Sequence, residues 1–214
     1  GPVPEWMITL SIVQSMMMII PVAAFTVNQY QTLQGRLSAL RWSPTLRFIG
    51  VGGLMYTASS VQGSLEALRS MNAVTHFTHY TVAHAHLGLY GFVSFVFFGA
   101  MYFVMPRITA REWPYPALIT AHFWLVSSGF ALYFVSLTTA GWLQGLAMLD
   151  AARPFMDSVA VTLPYLKGRS LGGAFMVLGH LVFAAHFMAL TLGFGPQRDK
   201  PALFRQLFRK AATA

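Results

Sequence analysis

Apolar residues run along this chain in long unbroken blocks separated by short polar links, not in the every-second-position alternation of a strand. Five blocks, near 7–33, 46–66, 76–105, 115–145 and 171–195, are long enough to cross a bilayer, which takes roughly 20 helical residues for about 30 Å of hydrocarbon. Each is expected to be a helix, because a helix satisfies its own backbone in lipid and the pattern of a membrane barrel is missing. The links carry Pro, Arg or Gly. The longest, about 150–170, holds Pro154, Pro164 and Gly168. With no repeat and no low-complexity tract, the reading is one all-α transmembrane domain over 1–214, ending in a basic tail at 196–214.

Composition sharpens this. The chain is 56% hydrophobic and only 9% charged, against about 25% charged in an ordinary soluble domain, which excludes a soluble fold. The absence of cysteine excludes disulfides and thiolate metal sites. A net charge of +8 raises nucleic acid as a partner, but the basic residues sit in the gaps between apolar blocks, where membrane topology explains them and nucleic acid does not.

Five crossings sort the charges by side. One side receives Arg36, Arg41, Arg47, Arg107, Arg111, Arg198, Lys200, Arg205, Arg209 and Lys210, opposed by Glu112 and Asp199. The other receives Arg69, Arg153, Lys167 and Arg169, balanced by Glu5, Glu66, Asp150 and Asp157. The positive-inside bias makes the first side cytoplasmic, the C-terminus with it. The start, Gly1-Pro2-Val3-Pro4-Glu5-Trp6, has no initiator Met and no basic n-region, so the first block is not read as a signal peptide and the chain reads as a piece of a longer or split polypeptide.

Four of the seven histidines fall within His76–His86, at the outer end of the third block: His76, His79, His84 and His86. An imidazole in a membrane is costly to leave unpaired and is a functional candidate by default. At 100° per residue, His84 and His86 point about 200° apart, on opposite faces of one helix, and so cannot share one metal ion. A helix with a ligand on each face can hold two planar cofactors, each iron bound axially by one imidazole, with the small Ala85 between them. On a continuous helix His76 lies about 12–15 Å further out and between the two faces, where heme propionates would emerge.

The run from His76 to His86 resembles the tenth helix of the catalytic subunit of the heme-copper oxidase superfamily. So do Pro4-Glu5-Trp6, Thr45-Leu46-Arg47-Phe48, Tyr56 with Ser59 and Ser60, Asn72, His122-Phe123-Trp124 and Arg169-Ser170-Leu171-Gly172-Gly173, which are similar to the C-type branch, the cytochrome c oxidases with b-type and c-type hemes. The resemblance implies that the chain is the last five of about twelve helices. It implies two b-type hemes, with His84 as axial ligand of the high-spin, catalytic heme and His86 of the low-spin heme. Copper, or non-heme iron, would complete the binuclear centre with ligands ahead of Gly1, in an N-terminal half or a companion chain. Cytochrome c-type subunits would donate electrons, in the cytoplasmic (inner) membrane of a bacterium. Two departures bear on substrate. Gln62 stands where the C-type oxidases usually carry a glutamate, and a carboxamide does not titrate. The runs His86-Leu87-Gly88-Leu89-Tyr90-Gly91 and Leu137-Thr138-Thr139-Ala140-Gly141 resemble the nitric oxide reductases of the same superfamily.

Other polar residues have two readings each. Tyr56, Ser59 and Ser60, at i, i+3 and i+4, form a hydroxyl stripe that relays protons through water or merely joins helices. Arg169 and Lys167 pair with propionates or snorkel at the interface. His122 is expected to hydrogen-bond a neighbouring helix, and His180 is the alternative heme ligand. His186, six residues on, makes no i,i+4 pair with it. The expected function is reduction of oxygen to water with electrons from cytochrome c, coupled to proton uptake. The alternatives are reduction of nitric oxide to nitrous oxide, a non-catalytic heme-binding membrane subunit, or half of a transporter.

Overall fold

The computed structural model describes residues 3–196, with the side chain of Trp42 excepted. Most of the expected basic tail, Arg198 to Lys210 included, lies outside the described residues. The described residues form helices joined by short links: α1 (Glu5–Met17), α2 (Ile19–Leu33), α3 (Ala39–Trp42), α4 (Pro44–Glu66), α5 (Arg69–Thr75), α6 (His79–His86), a π-helical segment (Leu87–Ser94), α7 (Phe95–Thr109), α8 (Pro116–Leu149), α9 (Phe155–Ala160) and α10 (Leu163–Leu192).

Four stretches among the described residues are long and apolar enough to cross a membrane: Glu5–Leu33, His79–Thr109, Pro116–Leu149 and Phe155–Leu192. The expected second span forms as α4, whose 23 residues give the length but not the apolarity. Its polar side chains turn into neighbouring helices: Thr57 meets Thr26 of α2 at 2.9 Å, and the Ser64 hydroxyl donates to the Ser15 carbonyl at 2.8 Å. Buried in this way, they need no water, so α4 can lie among spans without looking like one.

Three further boundaries differ from the sequence reading, each for a local reason. The first span is interrupted at Met18, because Pro21 sits in the first turn of α2 and lacks the N–H that would continue the ladder. The fifth begins well before 171, with Pro164 opening α10, a position where its missing N–H costs nothing. The third is cut at 76–78. There Thr78 caps α6, its hydroxyl oxygen accepting from the Tyr80 N–H at 3.2 Å and its hydroxyl donating to the Thr75 carbonyl at 2.7 Å. Phe77 between them takes a left-handed φ of 59°.

Successive spans pack side by side in chain order: α2 on α4, α4 on the π segment and α7, α6 on α8, and α8 on α10. Glycine allows the closest crossings. A Cβ on Gly129 would meet the Gly172 carbonyl at 2.7 Å, and Gly141 and Gly145 lie against the backbones of Tyr80 and Val74. The main core gathers where α7 ends and α8 begins, from Phe48, Phe95, Tyr102, Trp113, Ile119, Phe123, Val126 and Leu190. By contrast, α1 buries nothing and α2 only Val22.

Within the third span, the π segment follows His86 directly. Gly88 and Gly91 bring it close to α4 and α8, the Cβ of a residue at 88 falling 3.2 Å from the Ser59 hydroxyl and one at 91 falling 2.9 Å from Phe130. The Ser94 hydroxyl donates to the carbonyl five residues back, on Leu89, at 3.3 Å. Such wide turns recur at functional positions in helices.

Candidate functional site

Helix α6 is wedged between α4 and α8, and its two close histidines face one neighbour each. The His84 ring lies over Gly63 of α4, where a Cβ would stand 2.8 Å from Cε1 and 3.1 Å from Nε2. The His86 ring lies against Tyr133 of α8, ring centroids 5.0 Å apart. The opposition expected from i,i+2 spacing is thus present in the folded chain. Ala83 packs fully inward between them, while Thr81, Val82 and Ala85 form an outward strip.

The tautomer of His86 follows from its partners. Its Nδ1–H donates to the Val82 carbonyl at 2.8 Å, which leaves Nε2 bare, and the Tyr133 hydroxyl donates to that nitrogen at 3.2 Å. A bare Nε2 with Nδ1–H tied to a carbonyl is the form in which imidazole binds a metal. His84 is half-buried and its Nδ1 has no hydrogen-bond partner. The donor set therefore fits two separate planar groups, one on each flank of α6, with Ala85 between.

His76 is not on this helix. It caps the C-terminus of α5, exposed, its ring centroid 3.9 Å from that of Phe77. The rotational argument that places it between the two faces fails because the helix is broken at Phe77. It still lies at the same end of the helices as His79 and Arg169. Arg169 is half-buried and within electrostatic range of His79, whereas Lys167 is exposed.

On α4 the Tyr56 ring is held between Phe25 and Phe92, at centroid distances of 4.6 and 4.9 Å. Ser59 is buried and Ser60 half-buried. Among the described residues no hydrogen bond joins the three hydroxyls. One turn further out, the Gln62 Oε1 is buried without a partner beside an apolar cavity of about 370 Å³ lined by Met55, Ala58, Leu87, Phe130 and Phe134.

The histidines of α8 and α10 have protein partners. The Tyr102 hydroxyl is hydrogen-bonded to Nδ1 of His122 at 2.9 Å, the helix contact expected of that residue. The Tyr90 hydroxyl is hydrogen-bonded to Nε2 of His180 at 2.9 Å, and Phe98 stacks on the His180 ring at 5.2 Å. The Tyr115 N–H donates to Nε2 of His186 at 3.3 Å. Among the described residues no three His, Asp or Glu side chains converge as a metal site. Sequence reading misses Gly63, Tyr90 and Tyr133. A glycine one turn from a polar stripe is a usable sign for the first, but cross-helix tyrosines have no one-dimensional signature.

Comparison with known proteins gives the family of the chain. The family model described as cytochrome c and quinol oxidase polypeptide I matches residues 1–175. The cbb3-type cytochrome c oxidase subunit CcoN1 of Stutzerimonas stutzeri is 35% identical over 188 residues, 85% of this chain and 40% of that protein. Cytochrome c oxidase subunit 1 of Rhodobacter capsulatus is 32% identical over 193 residues, 87% of this chain and 36% of that protein. A nitric oxide reductase subunit of Stutzerimonas stutzeri is 26% identical over 147 residues, 65% of this chain and 31% of that protein. A solved heme-copper terminal oxidase dimer shares the fold, with a TM-score of 0.59 and 18% identity over 74% of this chain and 28% of that one. The chain spans 40% or less of the length of these three relatives. It belongs to the cytochrome c and quinol oxidase polypeptide I family, the subunit I family of the heme-copper oxidases.

Proposed function

We propose that this chain is the C-terminal part of the catalytic subunit of a respiratory heme-copper oxidoreductase, reducing oxygen to water with electrons from cytochrome c. The observation that carries the reading is the opposed pair on α6, with His84 toward α4, His86 toward α8 and an open strip between them. His86 would hold the low-spin b-type heme through its bare Nε2, and His84 the high-spin b-type heme. His76 and Arg169, at the outer end, would receive the propionates by charge-assisted hydrogen bonds. Bound there, the two hemes supply electron transfer and reduction of a small gas, with copper or non-heme iron held by residues outside this chain.

The chain's own part is orientation and protons. The Val82 carbonyl fixes the tautomer of His86 and Gly63 gives the His84 ring its room. Tyr56 and Ser60 would pass protons inward from the cytoplasmic side by exchanging them with water. An N-terminal half or companion chain would cover the strip at Thr81, Val82 and Ala85, and cytochrome c-type subunits would deliver electrons. The asymmetry of basic residues supports a bacterial inner membrane with the C-terminus cytoplasmic. Nitric oxide reduction is the second reading, favoured by Gln62 and by the relative named as part of a nitric oxide reductase.

The test is optical and paramagnetic spectroscopy of the complete subunit. His84→Ala is expected to remove the high-spin heme signal alone and His86→Ala the low-spin signal alone. Both substitutions perturbing one heme and sparing the other would refute the two-sided assignment. Turnover with nitric oxide well above turnover with oxygen in the unaltered complex would reverse the order of substrates.

A further inference from the structure

The interior of α7, α8 and α10 contains an array of titratable side chains that the reading above does not use. His122 and His186 are both fully buried. The Tyr102 hydroxyl is hydrogen-bonded to Nδ1 of His122, and the other nitrogen of that ring, Nε2, has no partner. With the Tyr115 N–H donating to Nε2 of His186, its ring proton sits on Nδ1, which also has none. Two buried imidazole nitrogens that no protein atom bonds are places where bound water completes the bonding. The rings of His122 and His180 have centroids 5.9 Å apart, and the Trp113 ring lies 4.9 Å from Tyr102 and 4.7 Å from His186. His180 in turn is hydrogen-bonded to Tyr90, four residues along from His86.

The array has a direction. His186 is tied to Tyr115, in the link that precedes α8 on the side assigned as cytoplasmic, and Tyr90 stands near the level of the α6 imidazoles. The hydroxyl stripe of α4 differs in kind. Each hydroxyl relays through a single oxygen, whereas an imidazole takes a proton on one ring nitrogen and releases one from the other.

We propose that His186, His122 and His180, with Tyr102, Tyr90 and bound water, form a proton relay from the cytoplasmic end of α8 toward the α6 pair, separate from the stripe on α4. Each imidazole takes one proton on its bare nitrogen and releases one from the other, so atoms and charge balance over a passage and no oxidant or reductant enters. Only the destination of the proton rests on the proposed function; the conduction itself does not.

The experiment has two arms on the complete complex. In the first, ¹⁵N-histidine-labelled complex is moved into D₂O and imidazole N–H to N–D exchange is followed by Raman or infrared spectroscopy. Exchange at the buried rings within seconds is expected, slowed at least about tenfold by Tyr102→Phe. Buried rings that keep their protons for hours in the unaltered complex would overturn the relay, whatever the hemes do. In the second, the complex in lipid vesicles is followed with a pH dye. Tyr90→Phe with Tyr102→Phe, which keep the ring packing, are expected to slow proton uptake about tenfold with an enlarged solvent isotope effect and an unchanged heme spectrum. Uptake within about twofold of the unaltered complex, with normal hemes, would reduce the array to structural hydrogen bonds.

Discussion

Histidines occupy two regions of this molecule under opposite conditions. On α6, His84 and His86 are half-buried, face different neighbours and border an outward strip. Around the start of α8, His122 and His186 are sealed inside an aromatic core among Phe48, Phe98, Tyr102, Trp113 and Phe183. The residue type is the same, and so is its rarity within a membrane. What separates the two regions is enclosure: the α6 rings are half-buried beside exposed residues of their own helix, while His122 and His186 are fully enclosed by protein.

Substitutions can break this comparison. The largest effect is expected from exchanging the regions' fates: His86→Ala should abolish the low-spin heme and leave the apoprotein's melting temperature nearly unchanged, while His122→Leu should retain both hemes and cost about 1–3 kcal/mol by leaving the Tyr102 hydroxyl buried and unpaired. Heme content and thermal unfolding of the two variants check both halves. Loss of heme from His122→Leu at full stability would erase the distinction. A smaller effect belongs to Gly63→Ala. Its methyl would press on the His84 ring, an overpacking worth about 1–3 kcal/mol, enough to lower high-spin heme occupancy about tenfold while sparing the low-spin heme. Smaller still is Gln62→Glu, which is isosteric beside a cavity and is expected to change turnover by less than about twofold.

Much of this is legible in one dimension. The apolar blocks announce the spans, and the i,i+2 pair announces two faces, because both depend only on helical periodicity. The break at Phe77 escapes that reading, although Thr78 before His79 is an N-cap residue in the right place. An unbroken apolar block conceals it, and with it the displacement of His76 from the helix. The tautomer of His86 lies beyond reach for another reason. It depends on Val82, a backbone carbonyl, and on Tyr133, which is 47 positions away. The polar character of α4 misleads in a different way, since its serines and threonines answer to α1 and α2 rather than to solvent.

The π segment between His86 and α7 gives the third span two independent phases. A wide turn accommodates an extra residue without lengthening the helix in proportion, so the side chains before Leu87 and those after Ser94 do not share one continuous angular count. The imidazoles can thus be aimed for cofactors while Phe95 and Tyr102 are aimed for the core. Had the span been α-helical throughout, one rotation would have had to serve both purposes. Here the upstream half is free to be re-aimed over evolutionary time by gain or loss of a single residue, with the packed half left standing as its anchor.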